Sequence, residues 1–142
     1  MIVFDASLAV KWFVDERHSE KAASDLRWHK GDIAVPGIFV AEVMGALVRR
    51  ANMDKSLRAD SEVSLSRLVQ LIEDDFLRVD PVSPVQMLRA ASIAIDIGHP
   101  LKDCIYLVLA MELGCPLVTA DTRFAAKARD VYGDVRVLGE AA

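Results

Sequence analysis

Residues 101–121 read LKDCIYLVLAMELGCPLVTAD, and this stretch decides the fold. An almost continuously apolar helical stretch ends at Gly114, and glycine is the residue that most readily ends a helix in the left-handed conformation. The apolar run PLVTA follows, and Asp121 ends it. A strand that is apolar throughout, rather than alternating, is typical of a parallel sheet covered on both faces. The stretch therefore predicts one helix–strand unit of an α/β fold.

The same unit recurs on both sides of this stretch. Further apolar runs that predict strands are MIVFD, DIAVP, FLRVDP and DVRVL. The pattern predicts helices over residues 7–30 with a break near Asp15, 37–51, 56–74, 84–97, 101–114 and 122–132. Ser83, Pro84 and Gln86 form a predicted capping box, and Gly98 stands where a helix-ending glycine belongs. We predict a three-layer α/β/α sandwich with a five-stranded, mainly parallel sheet, in a single domain over residues 1–142.

The composition excludes several classes of protein. With 142 residues, of which 53% are hydrophobic and 27% charged, the chain is too apolar for a disordered segment. Its apolar runs are shorter than the roughly 18 residues that a membrane-spanning helix needs. The first residues, MIVFDASLAVKW, lack the basic leader of a secretory signal. We therefore expect a cytoplasmic protein without a membrane partner, and the apolar surplus predicts a subunit or partner interface.

The charge balance does not predict a protein that binds nucleic acid non-specifically over a broad basic surface. The chain has 17 basic and 21 acidic residues, which gives a net charge of -4. A nuclease remains compatible with this balance, because an enzyme that holds nucleic acid through metal ions concentrates acidic residues in its site. The position of the acidic residues therefore says more about function than their number.

The cysteines and histidines do not predict a zinc site or a catalytic pair. Cys104 and Cys115 are too far apart for a CxxC motif, and we interpret them as small core residues. His18, His29 and His99 have no evident partner four residues away and no neighbouring nucleophile. We interpret all three histidines as surface or turn residues rather than catalytic ones.

Four acidic residues stand in apolar surroundings. Asp5 ends the first predicted strand, Asp121 ends the fourth, Glu42 interrupts the helix IFVAEVMGALV, and Asp103 opens DCIYLVLAM. Each of the three aspartates is also in place to cap a helix, and Glu42 could have a purely structural role. Right-handed crossovers place the first strand centrally, with the fourth strand beside it, so that Asp5 and Asp121 flank the point where the strand order reverses.

Convergence of these carboxylates at one edge of the sheet would carry a large electrostatic cost. Two such charges 4 Å apart repel by about 4 kcal/mol at an effective dielectric constant near 20. Either several of the acids hold protons, or a divalent cation neutralises them. Oxygen ligands with no cysteine or histidine nearby favour Mg²⁺, with Mn²⁺ as a substitute, over Zn²⁺. The sequence therefore predicts a magnesium site.

The stretches that carry these acids resemble a known family. VFDAS, VAEVMGAL, HPLKDCIYLVLA and LVTADTRF are similar to the four acidic blocks of the PIN domain, in particular of VapC-type toxin ribonucleases. The resemblance runs from residue 1 to about residue 138. It implies a Mg²⁺-dependent endoribonuclease that hydrolyses RNA through a metal-activated water. It also implies that Asp5 and Asp103 are direct metal ligands and that Glu42 and Asp121 complete the shell or hold waters.

The resemblance suggests roles for several neighbouring residues and for partners. Ser7 and Thr119 are similar to the family's hydroxyl neighbours, which orient a carboxylate or contact a phosphate, although local turn bonding explains Ser7 equally well. Lys11, Lys102 and Arg123 lie within one or two turns of the acids and either contact the RNA backbone or balance local charge. VapC-type proteins act as toxins held by a cognate antitoxin and form homodimers, which agrees with the apolar surplus.

Two other functions are compatible with parts of this pattern. One is a flavodoxin-like receiver domain that binds Mg²⁺ and accepts a phosphoryl group on Asp80, although the expected acid pair after the first strand is absent. The other is a binding module that keeps the PIN fold without catalysis. For Trp12, Phe13, Trp28 and the helix 38–48, a partner groove and ordinary core packing are the two alternatives.

Overall fold

The structure of the chain, a computed structural model, describes residues 1–140. Within these residues the strands are β1 (Ile2–Phe4), β2 (Ile33–Pro36), β3 (Leu77–Asp80), β4 (Leu117–Thr119) and β5 (Val135–Val137). The helices are α1 (Ala6–Ala9), α2 (Ser19–Trp28), α3 (Phe39–Met53), α4 (Arg58–Glu73), α5 (Pro84–Ile97), α6 (Leu101–Leu113) and α7 (Thr122–Ala128). The predicted domain 1–142 includes Ala141 and Ala142, which lie outside the described residues.

The strands form one parallel sheet in the order β3-β2-β1-β4-β5. Val3 is in register with Ala34 of β2 and with Leu117 of β4, so β1 is central, as the crossover rule predicts. Every residue of β1, β2 and β4 is buried, which requires helices on both faces of the sheet. The predicted α/β sandwich is confirmed.

Local sequence signals explain where several helices begin and end. The Ser83 hydroxyl accepts from the Gln86 amide at 3.1 Å, and the Gln86 side chain accepts from the Ser83 amide at 2.7 Å, so the predicted capping box forms. Gly98 and Gly114 end α5 and α6 with φ angles of 65° and 62°. These positive angles favour glycine because it lacks a Cβ.

Helix α6 is the core helix of the fold. It packs against β1, β2 and β4, and all seven residues from Cys104 to Ala110 are buried. Cys104 and Cys115 are free and buried, as predicted, and burial raises the pKa of the Cys104 thiol to about 11. No helix within residues 1–140 is long and apolar enough to cross a membrane.

The first and the last predicted helices need comment. The first, residues 7–30, has its predicted break near Asp15, and the part before the break consists of α1 and a 3-10 turn over Val10–Trp12 rather than one helix, with α2 after it. The chain turns before α2 because the Ser19 hydroxyl accepts from the Glu16 amide at 2.9 Å and donates to the Val14 carbonyl at 2.7 Å. The last, residues 122–132, ends at Ala128, whose carbonyl accepts from the amides of both Val131 and Tyr132 in a closing turn.

Candidate metal centre

Asp5 lies directly after β1 and is 2% exposed. Its Oδ1 accepts from the Leu8 amide at 3.1 Å, which caps α1, and from the Ser7 hydroxyl at 2.7 Å, while Oδ2 accepts from the Thr119 hydroxyl. Burial raises the pKa of Asp5 to about 6, although these three donors oppose the shift, and the charge of Asp103 adds to it. Capping and a place in the acidic site are therefore compatible roles for Asp5.

Thr119 joins the ends of β1 and β4. It is fully buried at the end of β4, and its Oγ1 donates to Asp5 and accepts from the Asp121 amide at 3.0 Å. Ser7 adds a second link, because its hydroxyl accepts from the Ala120 amide at 3.2 Å. The two hydroxyl residues thus fix the backbone that carries both aspartates.

Asp121 also has a capping role. Its Oδ1 accepts from the Phe124 amide at 3.0 Å at the start of α7. This bond uses one oxygen of a half-buried carboxylate. Because an ionised carboxylate offers about four lone-pair positions, the cap leaves Asp121 able to accept further partners.

Asp103 lies in the first turn of α6 and contacts a histidine. Its Oδ2 is 2.6 Å from Nε2 of His99, which lies two residues before the helix. One ligand atom from each of His99, Asp103 and Asp121 lies within 4.8 Å of the other two. Two of the predicted site aspartates, one from α6 and one from the end of β4, are therefore neighbours.

His99 lies in the connection between α5 and α6, but its side chain is only 7% exposed, so the interpretation as a surface residue is wrong. The expectation that it has no partner four residues away is also wrong, because Nε2 contacts Asp103. The expectation that no histidine lies near the acids is wrong for the same reason. The sequence signal was the four-residue spacing, which places two side chains on one face of a helix or just ahead of it.

Glu42 is held by a tyrosine that the sequence analysis also missed. The Tyr106 hydroxyl donates to Glu42 Oε1 at 2.7 Å, and Lys102 Nζ is 3.9 Å from Oε2. Tyr106 is fully buried, and burial followed by the Glu42 contact raises the pKa of its hydroxyl, so it stays a proton donor. The charges of Asp5 and Asp103 raise this pKa further.

The three predicted basic contacts differ in availability. Lys11 is only 13% exposed, and its ammonium donates to Glu16 at 3.1 Å and to the Arg17 carbonyl at 2.8 Å. Lys102 is 66% exposed beside Glu42, and Arg123 is exposed two residues after Asp121. The structure thus turns Lys11 toward the segment before α2, whereas Lys102 stays beside Glu42 and Arg123 is exposed in the first turn of α7.

The residues present fit a hard divalent cation. Asp103 and Asp121 offer carboxylate oxygens within 4.8 Å of each other, and Asp5 keeps about one free lone-pair position after its three hydrogen bonds. Carboxylate oxygens favour Mg²⁺ or Mn²⁺. The nearest ring nitrogen, Nε2 of His99, is already bonded to Asp103. This donor set agrees with magnesium better than with zinc.

The receiver alternative does not agree with the fold. Flavodoxin-like receivers have the strand order 2-1-3-4-5, whereas this sheet has β3 at one edge and β1 in the middle. Asp80, the expected phosphoryl acceptor, lies on the edge strand β3 and pairs with Arg78 at 2.6 and 2.9 Å. The acids that converge are those after β1 and β4, together with Asp103.

Comparison with known proteins identifies the class of the chain. The PIN domain profile matches residues 2–130, so the chain belongs to the PIN domain family. It is 32% identical to Ribonuclease VapC12 of Mycobacterium tuberculosis over 127 residues. The aligned region covers 88% of this chain and 90% of that relative. The resemblance found in the sequence is confirmed.

Solved structures share the fold. PAE2754 from Pyrobaculum aerophilum is similar with a TM-score of 0.72 and 21% identity, over 96% of this chain and 88% of that one. A toxin–antitoxin complex from Klebsiella pneumoniae is similar with a TM-score of 0.65 and 18% identity, over 99% of this chain and 100% of that one. At these identities the likeness concerns the fold.

Proposed function

We propose that this chain is a Mg²⁺-dependent endoribonuclease that acts as the toxin of a toxin–antitoxin pair. The observation that carries the proposal is the proximity of Asp103 and Asp121, whose ligand atoms lie within 4.8 Å of each other. Asp5, which follows the adjacent strand β1, and Glu42, which accepts from Tyr106 on the helix of Asp103, support it. The 32% identity to a protein named a ribonuclease supports the choice of RNA as substrate. We further propose that residues 1–142 act as one domain in the cytoplasm, and that Mn²⁺ substitutes for Mg²⁺.

The chain's own residues would divide the work as follows. Asp5 and Asp103 would hold the cation, and Glu42 and Asp121 would complete its shell or orient waters. When bound, Mg²⁺ would lower the pKa of a water and offset the charge that develops on the phosphate. Thr119 and Ser7 would keep the Asp5 carboxylate in one orientation through their hydroxyl donors.

The exposed cations beside the site support binding of an RNA backbone. Lys102 and Arg123 stand next to Glu42 and Asp121, where a phosphate on the scissile strand would lie. Lys11 would contribute less, because its ammonium is occupied by Glu16 and Arg17. Because the net charge of the chain is -4, its overall electrostatic field repels RNA, and attraction of the RNA backbone depends on these local cations.

Apolar surface outside the site supports protein partners. Trp28 is 84% exposed at the end of α2, and Val85, Leu88 and Ile95 are exposed along α5. Trp12 and Phe13, by contrast, pack against the core, as the alternative interpretation proposed. We propose an antitoxin partner and a homodimer, and the similarity to the toxin–antitoxin complex from Klebsiella pneumoniae supports the first.

Growth arrest and RNA cleavage test the proposal together. We expect that Asp5→Asn and Asp103→Asn each abolish cleavage of total RNA in Mg²⁺ and growth arrest on expression, while both variants remain folded by circular dichroism. Asp60→Asn, an exposed acid on α4, is the matched control and should retain both activities. Full toxicity of either site variant would overturn the proposal. A wild-type chain that binds RNA but cuts none in Mg²⁺ or Mn²⁺ would instead favour the non-catalytic binding module.

A further inference from the structure

His99 has a buried side chain, and the roles proposed for the four site carboxylates do not account for it. Its ring is only 7% exposed and stacks on Phe124 with centroids 4.8 Å apart and an angle of 29° between the planes. Nε2 contacts Asp103, while Nδ1 is buried without a hydrogen-bond partner among the described residues. Burying a polar ring nitrogen without a hydrogen bond costs free energy. The hydrogen bond to Asp103 is the only polar contact among the described residues that offsets this cost, so we ask what the bond does.

The chemistry of the contact sets the direction of the hydrogen bond. An ionised carboxylate only accepts hydrogen bonds, so Nε2 of His99 carries the proton and donates it to Asp103 Oδ2 over 2.6 Å. Nε2 is then unable to bind a cation, because its in-plane position is taken by the N–H bond and its remaining electron pair belongs to the aromatic ring. The bond occupies one lone pair of Oδ2 and fixes the rotation of the carboxylate.

Phe124 contacts both His99 and Asp121, and so links the His99–Asp103 pair to the second aspartate of the group His99, Asp103 and Asp121. Its amide donates to Asp121 Oδ1 at 3.0 Å, and its ring, which is fully buried, holds the plane of His99. One residue of α7 therefore supports Asp121 directly and Asp103 through His99. The two carboxylates are oriented by a shared apolar anchor.

We infer that His99 is a positioning residue that orients Asp103 for the divalent cation and is not itself a ligand. The inference rests on the metal site of the proposed function. Hydrogen-bond partners of metal-ligating groups typically contribute about 10- to 100-fold to metal affinity. Loss of the Nε2 donor is therefore expected to weaken cation binding, whereas a different donor at the same place should restore it.

Calorimetric titration of the full chain with Mn²⁺ tests the inference. We expect His99→Leu, which keeps an apolar group against Phe124 but has no donor, to weaken Mn²⁺ binding about 10- to 100-fold. His99→Gln places an amide N–H near the position of Nε2 and should restore most of the affinity. His29→Leu is the matched control, since His29 also packs on a phenylalanine, Phe4, but has no side-chain bond to the acids. Unchanged affinity in His99→Leu, or no rescue by His99→Gln, would overturn the inference.

Two spectroscopic measurements on the wild-type chain are independent of folding defects in the variants. Nitrogen-15 spectra of the metal-free protein should show His99 protonated at Nε2 and bare at Nδ1. Pulsed electron paramagnetic resonance of the Mn²⁺ form should show no histidine nitrogen in the metal shell. Either a proton on Nδ1 alone or a directly bound histidine nitrogen would overturn the inference.

The Asp103→Asn variant separates this inference from the proposed function. If Asp103→Asn loses Mn²⁺ binding while His99→Leu keeps it, the metal site stands and only the role of His99 fails. If Asp103→Asn binds Mn²⁺ like the wild type, the proposed metal site fails and the role of His99 fails with it.

Discussion

The hydroxyl of Tyr106 donates to Glu42 Oε1 at 2.7 Å, although 64 positions separate the two residues in the chain. Tyr106 lies on α6, three residues after Asp103, and Glu42 lies in the first turn of α3. The bond therefore connects Glu42 on α3 to the core helix α6, which also carries Asp103. Its loss should affect both stability and activity.

We expect Tyr106→Phe to lower the free energy of unfolding by about 1–2 kcal/mol, because a hydrogen bond to a charged, partly exposed group is lost. RNA cleavage should fall as well, since Glu42 is no longer oriented. Urea unfolding and a cleavage assay measure the two effects. Tyr132→Phe is the control: its hydroxyl donates to the Cys115 carbonyl at 2.8 Å, away from the acids, so this change should lower stability alone. Equal losses of cleavage in both variants would contradict a specific role for Tyr106.

The raised pKa of Asp5 predicts how the stability of the metal-free protein changes with pH. The pKa is about 6 in the fold, against 3.8 for an ordinary aspartate, so the folded state binds this proton more tightly than the unfolded state. The resulting contribution is complete below pH 3.8 and is lost as the pH rises through about 6. The difference corresponds to roughly 3 kcal/mol.

Urea unfolding between pH 4 and pH 7.5, in the presence of a chelator, measures this contribution. Asp5→Asn cannot titrate at this position, so we expect its stability relative to the wild type to rise with pH over this range. Parallel curves for the two proteins would show that the Asp5 carboxyl has an ordinary pKa in the fold.

Divalent cations should stabilise the folded chain. At 100 times its dissociation constant, a ligand that binds only the folded state adds about 2.7 kcal/mol. We expect Mn²⁺ to raise the melting temperature more at pH 7.5 than at pH 5, because Asp5 must lose its proton to ligate. Asp103→Asn should show little of this effect, and sodium chloride at matched ionic strength is the control. An equal rise in the wild type and in Asp103→Asn would place the cation elsewhere.

Thr119 is expected to be sensitive to loss of its hydroxyl. Thr119→Val keeps the shape but leaves Asp5 Oδ2 and the Asp121 amide without this partner, at a cost of about 3 kcal/mol. Thr119→Ser keeps the hydroxyl and should lose only about 1 kcal/mol for the methyl group. Thermal unfolding and cleavage assays compare the two, and similar behaviour of both variants would show that the hydroxyl has no such role.

The lysines near the site should differ in RNA binding. Each contact to a single-stranded phosphate changes the slope of log affinity against log salt by about 0.7. We expect Lys102→Gln to reduce this slope for an uncleavable RNA analogue, and Lys11→Gln to leave it unchanged, because Glu16 and Arg17 occupy the Lys11 ammonium. A larger loss in Lys11→Gln than in Lys102→Gln would mean that this ion pair opens on binding.

The sheet order could be predicted from the sequence because few physical rules decide it. Apolar runs separated by helices require parallel strands, and right-handed crossovers then put β1 beside both β2 and β4. Asp5 and Asp121 follow adjacent strands as a direct result. The placement of these two residues after neighbouring strands was therefore predictable without any side-chain information.

The surroundings of the acids were only partly predictable. His99 and Tyr106 lie four residues before and three residues after Asp103, a helical spacing that the sequence already displayed. The partner of Tyr106 on α3 depends on how distant segments pack, and no local pattern records that. The Lys11 side chain bends to Glu16 and Arg17 because the chain turns before α2, and the position of Lys11 near Asp5 did not reveal this.

The three-residue spacing of Asp103 and Tyr106 within α6 also limits which insertions and deletions the chain can tolerate. One codon inserted between them would rotate Tyr106 by about 100° around the helix axis, away from Glu42. The exposed turn around Gly133 carries no such constraint, because its neighbours do not contribute to the acidic site. Insertions and deletions should therefore accumulate at that turn in natural variants and be purged from the first two turns of α6.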